Sequence, residues 1–240
     1  YNRAGYGLSE PGPLPRDGRR EAEELKTLLE RAGETGPYVL VGHSLGALNL
    51  QIFASKHPDE VAGMVLLDPP PLSFIQGRIY TDLGRMAERM TAEWQAAADA
   101  GASSADPRER ANASFLRMIA SEHREMFGSS AALAEGVVSF SGFPLVVIAS
   151  GISNPAFGSV AEDFQKYWAE QSRALAAKSE NGRFLLAERS THRLYEDVPE
   201  IVAREIEAVV ADVRAKAKTG SAPAEAEIGP IVAGCAEAMG

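Results

Sequence analysis

The sequence has little cysteine, little basic charge and no long apolar run. Its single cysteine, Cys235, excludes an internal disulfide, and the small residues around this thiol give it no nucleophile context. A formal net charge of −9 leaves no basic surface of the kind that binds phosphate backbones, so we expect no nucleic-acid partner. No apolar stretch approaches the roughly 18 residues that span a bilayer, so we expect no membrane span.

Length and the absence of targeting signals set further limits. A chain of 240 residues can bury a substantial core, and it is compatible with one α/β domain that carries an insertion. No signal peptide or targeting motif is visible, which favours a cytoplasmic location.

The most specific motif is G-H-S-L-G at residues 42–46, which matches the pattern G-x-S-x-G. The apolar run 38–41 before it suits a buried parallel strand, and apolar residues at 47–54 share a broad helical face. In such a strand-turn-helix unit, the two glycines remove side chains that would collide where the backbone doubles back. The motif therefore predicts a nucleophile elbow that presents Ser44 at the top of a sheet.

Further along the chain, strand-like runs alternate with helix-like segments. Strands are predicted at 62–67, 144–149 and 183–187, and helices at 19–32, 161–178 and about 199–216. The alternation predicts an α/β fold with a mostly parallel sheet.

Four segments follow from this pattern. Residues 1–71 form a core unit that contains the elbow, and residues 141–218 complete the core. Between them, residues 72–140 lack a strand-like run and are rich in Ala, Met, Arg and Glu, so we interpret them as a helical cap or lid. Residues 219–240 become small and polar, and we expect a flexible tail there.

Several motifs occur in the order typical of one known family. They are YNRAGYGLS at 1–9, VGHSLG at 41–46, VLLD at 65–68, STH at 190–192 and DVPE at 197–200. In these motifs the chain resembles the α/β-hydrolase superfamily, in its esterase-like branch, over residues 1 to about 215. The resemblance implies a mostly parallel sheet with helices on both faces and a helical lid insertion. It also implies a serine hydrolase that uses neither a cofactor nor a metal.

A serine hydroxyl needs a neighbouring base, and histidine has a suitable pKa for this task. His43 lies beside Ser44 in the elbow and should point away from the hydroxyl, which suits packing or a backbone hydrogen bond. His57 precedes a proline and His123 lies among charged residues, so both are expected on the surface. His192 follows the last predicted strand, at the sheet edge of Ser44, and comes last in the family's chain order. We therefore assign His192 as the base.

The carboxylate that should orient His192 has three candidates. Most relatives place it after the strand at 144–149, where this chain has Asn154, an amide that supplies no negative charge. Asp163 comes later, in what resembles the first turn of a helix. Asp68 ends the strand after the elbow helix, a position that some lipase-like relatives use. We favour Asp68, with Asn154 and Asp163 as the alternatives.

The resemblance further implies a small or medium apolar carboxylic ester as substrate, cleaved through an acyl-enzyme. Met and aromatic side chains in the predicted lid suit such a group. We name His43, Phe74 and Trp94 as candidate substrate contacts, and the N–H of Leu45 as an oxyanion donor. The alternative interpretation is a non-catalytic α/β-hydrolase-like binding protein or an inactive fragment.

The N-terminal motif resembles the end of the family's fourth strand, so the first three strands have no counterpart in this sequence. In the family, the third strand lies beside the elbow strand, and the loop after it supplies a second oxyanion N–H. We therefore expect an uncovered edge beside the elbow strand. We also expect low turnover, because the loss of one oxyanion donor costs about 10²- to 10³-fold.

Overall fold

Five parallel strands form one sheet in the part of the chain that the structure describes. The computed structural model describes residues 1–137, 139–140, 142–218 and 232–234. The strands are β1 (Tyr38–His43), β2 (Val61–Leu67), β3 (Leu145–Ser150), β4 (Gly182–Ala187) and β5 (Val232–Gly234). Their order is β4-β3-β2-β1-β5, and every neighbouring pair is parallel. The predicted α/β fold with a parallel sheet is confirmed.

Helices connect the strands, because parallel neighbours need crossover connections. They are α1 (Gly18–Ala32), α2 (Leu45–Lys56), α3 (Leu72–Ile75), α4 (Thr81–Gly101), α5 (Pro107–Glu125), α6 (Ala131–Glu135), α7 (Ala161–Ala176), α8 (Leu194–Asp197) and α9 (Pro199–Lys218). Short 3₁₀ turns lie at Pro58–Glu60 and Pro155–Val160, and a π-helical segment lies at Met126–Ser130. The predicted helices and strands match α1, α7, α9, β2, β3 and β4 to within about two residues.

The sheet is buried on both faces, because successive strand residues point to opposite helical layers. Leu40 and Leu66 belong to a core cluster that includes residues of α1, α2 and α7. Val39 and Val65 belong to a second cluster, which includes residues of α9. All four side chains are fully buried, which explains why the strands read as continuous apolar runs.

The edge of β1 that was expected to be uncovered is paired with β5. Residues 40–42 align with Val232–Gly234 in a parallel register. The pairing supplies ladder partners for backbone groups that an edge strand exposes. The expected gap is therefore wrong over this stretch, and three residues of the predicted 219–240 tail form a strand. The rest of that tail, including Cys235, lies outside the described residues.

Helices α3 to α6 lie between β2 and β3 in the chain, where the sequence predicts a helical insertion. A buried ionic cluster joins α5 to the N-terminal segment. Glu122 of α5 accepts hydrogen bonds from Nη2 of Arg3 (2.7 Å) and from the hydroxyl of Tyr6 (2.6 Å). Nε of Arg3 also lies 3.2 Å from Oε2 of Glu21 on α1. Because a buried charge is tolerated only when it is paired, these contacts fix the insertion on the core.

The surface position expected for His123 is wrong, because α4 packs over it and leaves it 8% exposed. The hydroxyl of Thr91 on α4 donates to the carbonyl of Ala87 (2.9 Å) and accepts a hydrogen bond from Nδ1 of His123. Burial lowers the pKa of His123 to about 4, so the ring is neutral at pH 7. His57, which was also expected on the surface, is partly exposed.

We expect Glu122→Ala to lower the free energy of unfolding by about 3 kcal/mol, because buried Arg3 and Tyr6 both lose the carboxylate that accepts their hydrogen bonds, although Arg3 keeps Glu21 as an acidic partner. Urea denaturation followed by circular dichroism measures the loss. The matched control is Glu93→Ala, which removes an exposed carboxylate from α4 and should change stability by less than about 0.5 kcal/mol. Equal losses in the two variants would contradict the role of the ionic cluster.

We expect the stability of the wild type to fall between pH 6.5 and pH 4, relative to that of His123→Asn. An unfolded histidine binds its proton near pH 6.5, whereas the pKa of folded His123 is about 4, so the unfolded state binds more protons in this window. The relative loss should reach about 3 kcal/mol, as measured by urea denaturation at each pH. The asparagine side chain keeps an N–H donor for Thr91 but does not titrate between pH 4 and pH 6.5. Parallel pH dependences of the two proteins would refute this prediction.

Candidate active site

Ser44 occupies the turn between the end of β1 and the start of α2. Its backbone has φ 52° and ψ −121°, a conformation that costs a non-glycine residue of order 1–3 kcal/mol. The N–H of Ser44 donates to the carbonyl of Leu67 (2.9 Å), and its carbonyl accepts from the N–H of Leu48 (3.2 Å). A Cβ at Gly42 would lie 2.8 Å from the carbonyl carbon of Gly46, which explains why residue 42 is glycine.

His192 and Asp68 meet at the carboxyl ends of the strands. His192 lies in the loop after β4, and its Nδ1 is 2.7 Å from Oδ2 of Asp68, which directly follows β2. The Asp68 side chain is 3% exposed, and it also accepts hydrogen bonds from the N–H (2.9 Å) and the hydroxyl (2.7 Å) of Ser150. An ionised carboxylate only accepts hydrogen bonds, so the proton of a neutral His192 lies on Nδ1. Its Nε2 then carries a lone pair that can take a proton.

The imidazole of His192 packs against two further rings. His43 lies with its ring centroid 4.5 Å away, and its Nε2 donates to the backbone carbonyl of His192 (2.7 Å). Burial lowers the pKa of His43 to about 4, so this second ring stays neutral. Trp168 of α7 contacts His192 in a T-shaped arrangement at 5.9 Å. The backbone hydrogen bond expected for His43 is present, whereas its 4% exposure leaves little surface for the substrate contact that was also predicted.

The other two candidates for the acid have other partners. Oδ1 of Asn154 accepts from the N–H of Ala156 (2.9 Å) and caps the 3₁₀ turn that follows. Asp163 is 78% exposed and pairs with Lys166 (3.6 Å). In the described part of the chain, the carboxylate that contacts His192 is therefore that of Asp68.

The two aromatic residues predicted as substrate contacts have different neighbours. Phe74 of α3 packs on Phe164 (4.8 Å), which packs on Trp168 (5.6 Å), the neighbour of His192. Trp94 of α4 packs against His123 (5.3 Å) in the insertion.

Four residues near the centre were missed by the sequence interpretation. Phe164 and Trp168 carried one signal, since their spacing of four residues puts them on one face of the predicted helix 161–178. Ser150 and Gln165 carried no comparable signal, because a strand-end serine and a helical glutamine are both common. Their role depends on contacts that only the folded chain makes.

Leu45 begins α2 and is partly exposed beside Ser44. The Ser44 side chain does not cap the first turn of α2, so the N–H groups of this turn do not have its hydroxyl as an acceptor. The N-terminus of a helix favours negative charge, which suits the predicted role of the Leu45 N–H as an oxyanion donor.

No group of three or more His, Cys, Asp or Glu side chains among the described residues could hold a metal ion. None of the helices described there combines the length and apolar character that crossing a membrane requires.

Comparison with known proteins identifies the family. The sequence profile described as "Alpha/beta hydrolase family" matches residues 1–205. The chain belongs to the alpha/beta hydrolase family. This hydrolase is 27% identical over 203 residues to the uncharacterized protein YqjL of Bacillus subtilis, which covers 84% of the chain and 68% of YqjL. Six further curated relatives match over 65–72 residues, and the chain spans only 11–24% of their lengths.

Two solved structures illustrate the likeness in fold. A haloalkane dehalogenase, the DbeA-M1 loop variant from Bradyrhizobium elkanii, is 18% identical with a TM-score of 0.60, covering 91% of this chain and 80% of that chain. A thermophilic esterase from Thermogutta terrifontis, with malate bound, is 20% identical with a TM-score of 0.53, covering 87% and 77%. The α/β-hydrolase fold implied by the sequence motifs is thereby confirmed.

We expect Ser44→Gly to be more stable than Ser44→Ala by about 1 kcal/mol. Both variants remove the hydroxyl, but only glycine relieves the strain at φ 52°, and this outweighs the extra freedom of glycine in the unfolded chain. Thermal denaturation of the two variants measures the difference. A more stable alanine variant, as is usual in helices and strands, would show that the turn is not strained.

Proposed function

We propose that this hydrolase cleaves a small or medium apolar carboxylic ester through a covalent acyl-enzyme on Ser44. The observation that carries the proposal is the pairing of His192 with the buried Asp68, on the same edge of the sheet as the strained turn at Ser44. Ser44 lies on the same sheet edge as His192, which can act as its base, and His192 has Asp68 as an anionic partner.

Three side chains and one backbone N–H carry out the proposed reaction. Ser44 Oγ attacks the ester carbonyl while Nε2 of His192 takes the hydroxyl proton, and Asp68 stabilises the resulting imidazolium. The N–H of Leu45 donates to the oxyanion of the tetrahedral intermediate. His192 then gives its proton to the departing alcohol. Water, activated by the same nitrogen, releases the acid and restores Ser44.

The choice of an ester rests on the elbow residue. The solved neighbours named above include a dehalogenase and an esterase. Family members with dehalogenase or epoxide hydrolase chemistry have aspartate at the elbow, whereas this chain has Ser44. The aromatic rings between Phe74 and His192 support an apolar acyl group, because such rings favour contact with hydrocarbon.

We expect the chain to hydrolyse p-nitrophenyl butyrate, with the rate falling to background in Ser44→Ala. Asp68→Asn should lower kcat by about 10⁴-fold, because an amide cannot stabilise the imidazolium or hold the required tautomer. The matched control is Asp163→Asn, which neutralises an exposed carboxylate and should keep the wild-type rate. Circular dichroism of each variant checks the fold.

The alternative of a non-catalytic binding protein gives different results in a labelling experiment. A fluorophosphonate probe should modify wild-type protein and Asp163→Asn, but not Ser44→Ala. A folded wild-type chain that neither hydrolyses the ester nor reacts with the probe would exclude the proposed chemistry. Equal effects of Asp68→Asn and Asp163→Asn would exclude Asp68 as the acid.

A further inference from the structure

Asp68 is held by a pair of residues that take no part in the reaction proposed above. Ser150 ends β3 and is 1% exposed. Its N–H donates to Oδ1 of Asp68 (2.9 Å), and its hydroxyl donates to Oδ2 (2.7 Å). One residue therefore binds both carboxylate oxygens, which prevents the carboxylate from rotating about its Cβ–Cγ bond.

Gln165 of α7 fixes the direction of the Ser150 hydroxyl. Its side-chain nitrogen lies 3.0 Å from Oγ and 2.6 Å from the backbone carbonyl oxygen of Ser150. An amide nitrogen only donates, so Oγ accepts from Gln165 and its single proton is left for Asp68. The carboxylate has no proton to offer in return. The hydrogen bonds therefore run in one direction, from Gln165 through Ser150 to Asp68.

We propose that Ser150 and Gln165 are positioning residues that keep Oδ2 of Asp68 aligned on Nδ1 of His192. Oδ2 is the atom that both Ser150 Oγ and His192 Nδ1 contact, each at 2.7 Å. With Oδ2 fixed, the proton of His192 stays on Nδ1, and Nε2 stays free to accept a proton. This inference rests on the proposed serine hydrolase function for its effect on rate, but the alignment itself does not depend on a substrate.

Kinetics of three variants test the arrangement. Ser150→Ala should lower kcat by about 10- to 100-fold with KM nearly unchanged, because it removes a hydrogen bond to a charged group without altering the substrate surface. Gln165→Leu should lower kcat by about 3- to 10-fold, because the hydroxyl loses its enforced direction. The double variant should lose little more than Ser150→Ala, since Gln165 acts through the Ser150 hydroxyl.

The matched control is Ser172→Ala on the same helix as Gln165. Ser172 is 1% exposed, and its hydroxyl has no hydrogen-bond partner among the described residues. This variant should keep both kcat and KM. A similar fall of kcat in Ser172→Ala and Ser150→Ala, or a double variant whose losses multiply, would overturn the proposal.

Side-chain ¹⁵N NMR separates this inference from the proposed function. In the protein without substrate, the ¹⁵N signals of His192 should show the Nδ1–H tautomer. These signals are identified by their absence from the spectrum of His192→Gln. Ser150→Ala should show a mixture of both tautomers, whether or not the protein hydrolyses esters. An unchanged tautomer in folded Ser150→Ala would refute the positioning role, even if ester hydrolysis by the wild type is established.

Discussion

The carboxylate of Asp68 is charged and buried, and the candidate site is arranged around the need to compensate that charge. A carboxylate without donors in such a place costs several kcal/mol, so the fold must bring donors to it. They come from Ser150, at the end of β3, and from His192, in the loop after β4. The parallel order β2, β3, β4 makes this possible, because the carboxyl ends of three neighbouring strands lie on one edge of the sheet.

The strained turn at Ser44 places the proposed nucleophile on that same edge. The turn follows β1, the neighbour of β2, and its N–H binds the carbonyl of Leu67, the residue before Asp68. The two key segments are therefore linked through the backbone as well as through side chains. The rings of Phe74, Phe164 and Trp168 extend from His192 toward the helical insertion and give the site an apolar side. This combination of a polar centre and an apolar wall suits ester chemistry.

Sequence patterns predicted the features that are encoded locally. Buried parallel strands show as apolar runs, and the turn at Ser44 needs glycines nearby, so both could be predicted with good boundaries. The sequence favours Asp68 but does not exclude Asn154 or Asp163, because only the fold shows that Asn154 caps its own turn and that Asp163 is exposed. The burial of His123 could not be predicted either, since it depends on the packing of α4 over a helix whose own sequence is charged. The pairing of β5 with β1 is likewise a long-range contact without a local signal.

The proposed function depends on the acylation of Ser44 with the help of His192. The most direct test is to mix the protein with p-nitrophenyl butyrate, stop the reaction in acid during turnover, and locate the butyryl group by tandem mass spectrometry of the peptides. We predict a butyryl group on Ser44 in the wild type and none in His192→Ala. Butyrylation of a different residue, or the same yield on Ser44 without His192, would contradict this account of the site.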